Sequence, residues 1–177
     1  MTVEEFSQHV VEFVRNNKGW APLIVAGLAF GESLVFVSLI FPATVILVAI
    51  GALIGASGVS FLPIIFGAAI GAALGDWISY WLGLKFENQI ARLWPLSRYP
   101  DLIPRGHAFV ERYGFYAVFF GRFFGPLRAS VPLAAGILEM PWWPFQIANV
   151  TSAFLWAAML LYLGDSITLT FKWLLGG

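Results

Sequence analysis

Gly121-Arg122-Phe123-Phe124-Gly125-Pro126-Leu127-Arg128 places two arginines inside an otherwise uncharged stretch that runs from Tyr113 to Leu138. Ninety residues earlier, Gly31-Glu32 stands in an equally apolar stretch. Pro42 follows Glu32 at the same distance as Pro132 follows Arg122. Two related halves are expected, one with a buried acid and the other with buried bases. An ionisable group at membrane depth costs about 2.5–3.5 kcal/mol on insertion scales and usually marks a pathway or a binding site.

The membrane reading rests on charge distribution. The chain is 59% hydrophobic and 11% charged, with 17 Phe and 8 Trp, where a soluble domain is about a quarter charged. Residues 33–75 contain no charged side chain, and neither do residues 140–164. A spanning helix needs ~20 apolar residues, so the first of these runs passes through or dips into the bilayer at least twice. Net charge is zero, so no global electrostatic attraction to nucleic acid is expected. There is no cysteine, and His9 and His107 lie in polar segments. Neither a metal centre nor another cofactor is therefore expected.

At the N-terminus, Glu4 and Glu5 stand where a signal peptide would be basic. Val3, Phe6, Val10 and Val14 recur at helical spacing, which predicts an interfacial amphipathic helix over residues 2–18. The whole chain, 1–177, reads as a single integral membrane domain, all-α. The first repeat covers 20–84, with an interrupted segment at 20–56 and a span at 62–84. Residues 85–112 form a connector. Its Lys85, Arg92, Arg98, Arg105 and Arg112 place it on the cytoplasmic side. The second repeat covers 113–164, with an interrupted segment at 113–138 and a span at 143–164. Lys172 and Trp173 suit the tail to an interface.

The interruptions are proline and glycine: Pro42 in the first half, Gly125-Pro126 and Pro132 in the second. Proline removes a helix hydrogen bond and clashes with the preceding turn. Backbone freed in this way is tolerated at membrane depth only when buried in protein or lining a polar cavity. Each interrupted segment is therefore expected to be a re-entrant helical hairpin. Further pieces match between halves. Gly51 follows Pro42 and Gly136 follows Pro132, at a shorter spacing in the second half, and the spans close on Tyr80-Trp81-Leu82-Gly83 and Leu161-Tyr162-Leu163-Gly164. One hairpin plus one span per half gives an inverted repeat, with the site between the repeats at the midplane. Gly67, Gly71 and Gly75 fall on one face of the first span, where small residues let another helix approach closely.

Arg122 lies nine residues beyond Tyr113, roughly 13 Å along a helix, which is near the middle of a ~30 Å hydrocarbon core. Glu32 lies twelve residues beyond Trp20. Gly125-Pro126 allows the chain to turn so that Arg122 and Arg128 face one cavity. Two guanidinium groups form a planar, permanently charged clamp suited to phosphate. Glu32 and Asp76 are the candidates for charge balance or proton exchange. A structural ion-pair cluster, with Glu32 or Asp76 on Arg122 or Arg128, is the alternative. Thr44, Ser130 and Asn149 are candidates for hydrogen bonds inside the bundle, Asn149 chiefly as a tie between helices. Glu139 and Asp165 adjoin the expected membrane boundaries and read as solvated. No HExxH, GxSxG or P-loop is present, so a transporter rather than an enzyme is expected.

The arginine motif, followed by Val131-Pro132, Ala135-Gly136, Met140-Pro141, Phe145, Asn149 and Trp156, resembles the signature half of the DedA family. These bacterial membrane proteins are related to the eukaryotic VTT-domain scramblases. Gly31-Glu32, Pro42, Gly51, Gly75-Asp76, Tyr80 and Gly83 extend the likeness over about residues 20–164. The resemblance implies two opposed re-entrant hairpins in a multi-pass protein of the bacterial inner membrane. It also implies transport of a lipid phosphate such as undecaprenyl phosphate for carrier recycling, with suspected dependence on the proton-motive force. Glu32, Arg122 and Arg128 carry over as functional positions, with Asp76 a further candidate. The chain departs from the family at Pro42-Ala43-Thr44, where many members have Pro-Gly and an acid. Other readings left open are a phospholipid flippase or scramblase, a proton-coupled transporter of small cations or drugs, and a structural organiser. A homo-oligomer is compatible with all of them.

Overall fold

The computed structural model describes residues 18–34, 44–57, 60–86 and 101–174, with positions 37, 89 and 98 between them. Nearly all of the expected interfacial helix, Pro42 and part of the connector (87–88, 90–97 and 99–100) lie outside the described residues. Those described are helical, without a strand. A 3-10 turn at Lys18–Trp20 leads into α1 (Ala21–Ser33). Then come α2 (Thr44–Ser57), α3 (Phe61–Phe86), α4 (Leu102–Tyr113), α5 (Phe115–Gly121), α6 (Gly125–Ile137) and α7 (Trp142–Leu174).

Among the described residues, two helical stretches are long and apolar enough to cross a membrane, Phe61–Phe86 and Trp142–Gly164. Their polarity is inverted relative to a soluble core. Leu62, Phe66, Ile70, Leu74, Trp77 and Trp81 of α3 are exposed, while Asp76 and Ser79 are buried. A contiguous apolar exterior of this size is foreign to soluble monomers. α7 begins where the second span was expected but continues ten residues beyond Gly164 to Leu174. Thr168 and Thr170 there do not interrupt a helix already propagating.

α3 and α7 run antiparallel. Phe61 stacks on Tyr162, with ring centroids 5.3 Å apart, and Tyr80 stacks on Phe145 at 4.1 Å. α1 packs along α3 through the three glycines. A Cβ on Gly67 would collide with the carbonyl of Pro22, one on Gly71 with that of Ala26, and one on Gly75 would sit 2.6 Å from Phe30 O. This matching order makes α1 parallel to α3. It brings the end of α1, with Glu32 and Ser33, beside Gly75-Asp76.

The helices α2 and α6 each pack on the long helix of the opposite half. A Cβ on Gly136 of α6 would strike the carbonyl of Tyr80 and lie 3.0 Å from Gly83 Cα. In α2, a Cβ on Gly51 would lie 2.6 Å from Leu161 O, and Gly164 faces Val48 and Ala52. The two pairs of terminal motifs matched by sequence thus meet crosswise.

The second interrupted segment breaks one step earlier than expected. The turn is at Arg122, Phe123 and Phe124. Gly125 and Pro126 open α6, in the first helical turn, where proline's missing N–H has no partner to lose. Pro132 does not interrupt the chain but lies inside α6. It withholds only the bond to the carbonyl of Arg128, four residues back. Gly114 separates α4 from α5 at φ +51°, so the helical count from Tyr113 to Arg122 is not continuous.

Two apolar clusters result. One joins Val25, Leu47, Ile64, Ala72, Ala153 and Trp156; the other joins Tyr80, Val110, Val131, Ala135, Phe145 and Ala148. Along α3, Asp76 falls between Ala72 and Tyr80. Along α7, Asn149 and Ser152 fall between Ala148 and Ala153. The polar centre lies at the junction of the clusters, midway along both spans.

Candidate functional site

The turn at 122–124 aims Arg122 inward. Its Nη2 donates to Asp76 Oδ2 at 2.6 Å and to Asn149 Oδ1 at 2.7 Å, and its Nε donates to Ser152 Oγ at 3.1 Å. Asn149 in turn donates from Nδ2 to the carbonyl of Ala73 at 2.9 Å. It ties α7 to α3 and holds the arginine, and the first of these is the role expected for it. Arg128, one turn into α6, donates from Nη1 to Glu32 Oε1 at 2.8 Å and from Nη2 to Ser33 Oγ at 3.4 Å. Its guanidinium carbon lies 4.2 Å from the centre of the Trp156 ring, within cation–π range. Ser79 Oγ donates to the carbonyl of Ser33 at 3.3 Å, locking the end of α1 to α3.

Glu32, Asp76, Arg122 and Arg128 are all buried. Arg122 feels the charges of Asp76, Arg128 and Glu32 together. The structure thus selects a pairing that the sequence left open: Asp76 with Arg122, and Glu32 with Arg128. The site holds two acids and two bases, each acid hydrogen-bonded to one base, the pairing that a buried charge requires. Each arginine also keeps a buried donor without an acceptor, Nη1 on Arg122 and Nε on Arg128. Buried donors rarely go unmet, and a native exception calls for a functional or solvent explanation. Two guanidinium groups with donors to spare can take an oxyanion of tetrahedral shape.

Other expected positions fall outside this cluster. Ser130 donates to the carbonyl of Leu127 at 3.2 Å, a bond local to α6. Its side chain also packs against Gly106 of α4. Thr44 opens α2, and Gly125-Pro126 opens α6. Glu139 is exposed, with φ +51°, at the end of α6. Three neutral residues escaped the sequence reading: Ser33, Ser152 and Gln146, whose Oε1 accepts from Asn149 Nδ2 at 3.3 Å. The available signals were adjacency to Glu32 for Ser33 and one helical turn from Asn149 for the other two. Among the described residues, no group of three His, Cys, Asp or Glu could hold a metal ion.

The fold and site define a helical membrane protein with a charged centre between two long apolar helices. Residues 41–166 match the model of the VTT domain, and the chain belongs to that family, the DedA family. It is 35% identical to the inner membrane protein YabI of Escherichia coli over 144 residues, 81% of this chain and 57% of that one. It is 29% identical to the uncharacterized membrane protein BU139 of Buchnera aphidicola over 177 residues, 94% of this chain and 69% of that protein. It is 33% identical to the uncharacterized membrane protein Rv2637 of Mycobacterium tuberculosis over 141 residues, 76% of this chain and 63% of the relative. The chain thus spans little more than half the length of YabI. No solved structure matches it.

Proposed function

We propose that this protein is a lipid transporter of the bacterial inner membrane. It moves a polyprenyl phosphate such as undecaprenyl phosphate between leaflets. Arg122 and Arg128 hold the phosphate, while Glu32 and Asp76 neutralise the arginines in the empty site and exchange a proton as substrate enters. The observation that carries this reading is the pair of buried guanidinium groups, each with a donor unused beside its carboxylate.

The arrangement of the helices supports an inverted repeat of re-entrant hairpins. α1 has 13 residues, about 20 Å of helix, and falls short of a ~30 Å core. It starts beside Gly67 and ends beside Gly75, near mid-span, and α2 finishes three residues before α3 begins. From the other end, the turn at 122–124 reaches the same depth and α6 returns to Gly83. The end of α1 and the turn at 122–124 meet at the charges from opposite ends of α3. Movement of one hairpin unit against the other would open the site to alternate leaflets, as in transporters built on this plan.

Binding of undecaprenyl phosphate to purified protein tests the reading, with undecaprenol and phosphatidylethanolamine as competitors. The phosphate lipid is expected to resist both competitors, and Arg122→Ala is expected to abolish its selective binding. Equal binding of all three lipids would favour a scramblase or a structural role. Dependence on Asp76 without dependence on either arginine would favour a cation transporter.

A further inference from the structure

The outer surface between α3 and α7 carries a groove. Its wider part, about 530 Å³, is lined by Trp142, Trp143 and Ile147 of α7 and by Trp77 of α3. A narrower part of about 190 Å³ continues past Trp77, Gln146 and Val150 onto a floor of Ala69 and Ala73. The wider part has a volume of the order of those that hold small ligands, about 300–1,000 Å³. The groove lies on the apolar exterior of two helices long enough to cross the membrane.

Two polar side chains join this lining: Thr151, whose hydroxyl donates to the carbonyl of Ile147 at 2.6 Å, and Gln146, which is out of place. Gln146 presents a half-buried amide among tryptophans and aliphatics. It meets Asn149 at 3.3 Å, and Asn149 meets Arg122 at 2.7 Å. Two hydrogen bonds therefore join the apolar groove to the charged centre. A groove needed only for helix packing or bulk lipid has no use for an amide, which costs free energy in an apolar setting unless it is satisfied.

We propose that this groove is the chain subsite of the transported lipid and that Gln146 and Asn149 form the threshold its headgroup crosses. The inference rests on the reading of Arg122 and Arg128 as a phosphate clamp. The occupant is a single linear hydrocarbon chain with a terminal phosphate. The narrower part, about 190 Å³ over Ala69 and Ala73, has the volume of a slender chain rather than of a helix about 10–12 Å across. The chain lies along Trp77, Val150 and Phe154 while the phosphate passes Gln146. The amide supplies a neutral donor to a phosphate oxygen on the way to Arg122, which then engages it with full charge.

Site-specific photocrosslinking tests this with the full chain in vesicles of phosphatidylethanolamine and phosphatidylglycerol. Benzoylphenylalanine is placed at Ile147, in the groove, or at Leu155, exposed on α7 but outside the lining. The probes are a radiolabelled polyprenyl phosphate and the matching polyprenol. Polyprenyl phosphate is expected to label position 147 about tenfold more than position 155, an occupancy ratio matching a tenfold affinity difference. Gln146→Leu, similar in size and apolar, should remove most of that preference without lowering the melting temperature. Equal labelling at the two positions, with phosphate-selective binding still dependent on Arg122, would overturn the groove assignment and leave the clamp standing. Equal labelling by polyprenol and polyprenyl phosphate, insensitive to Arg122→Ala, would overturn both.

Discussion

Arg122 and Asp76 lie 2.6 Å apart with both side chains buried, and the energetics of such a pair separate folding from function. Removing one partner leaves an uncompensated charge in a dry interior, at a cost of about 3–5 kcal/mol. Asp76→Ala alone should therefore melt well below the wild type in detergent. Replacing both partners with apolar residues of similar size is often neutral or stabilising, by about 1–4 kcal/mol. Arg122→Met combined with Asp76→Leu should recover the wild-type melting temperature while losing selective phosphate binding. A double variant that still binds the phosphate lipid selectively would show the pair to be structural. Glu139 offers a separate check: at φ +51°, an L-residue carries a strain of about 1–2 kcal/mol. Glu139→Gly should raise stability by about 1 kcal/mol in thermal unfolding, and transport should be unchanged. At this scale the four charges were legible because an ionisable group is conspicuous in an apolar stretch. Ser33, Ser152 and Gln146 were not, because a neutral polar residue gains its meaning only from the helix that crosses it.

Helices α1 and α3 meet through Gly67, Gly71 and Gly75, and the closeness of that contact places Glu32 and Ser33 beside Asp76. A Cβ at position 71 would lie 2.9 Å from Ala26 Cα and collide with its carbonyl. Gly71→Ala should force the helices apart and destabilise the protein by about 1–3 kcal/mol, the usual range for overpacking. It should also weaken phosphate-lipid binding through the displaced acid. Gly27 on α1 has nothing within 4 Å of its added Cβ. Gly27→Ala should instead raise the melting temperature, since alanine in a helix is better than glycine by about 1 kcal/mol. Equal effects of the two substitutions would contradict the close contact. The glycine face was legible from its four-residue spacing. The exact place of the break in the second interrupted segment was not. Proline can open a helix or sit within one, and only the packing of α6 on α3 and α4 decides that Pro126 does the first and Pro132 the second.

Across the whole molecule, the matched motifs of the two halves do not pack on themselves but on each other, Gly136 on Gly83 and Gly51 on Gly164. From the sequence the pieces were expected to correspond; it could not show the exchange, which depends on the antiparallel course of α3 and α7. That course makes a topological prediction. Single cysteines introduced at Ser60 and at Lys85, the two ends of α3, should react with an impermeant maleimide from opposite faces of intact vesicles. Labelling of both from one face would remove α3 as a span. The charged centre then lies between the faces, where only a moving part could serve both leaflets. The most direct test of that account is the movement of polyprenyl phosphate between leaflets of proteoliposomes. Wild type would be compared with the Arg122→Met, Asp76→Leu double variant. The account predicts rapid movement with wild type and the protein-free rate with the folded double variant. Equal movement by the two proteins would contradict it.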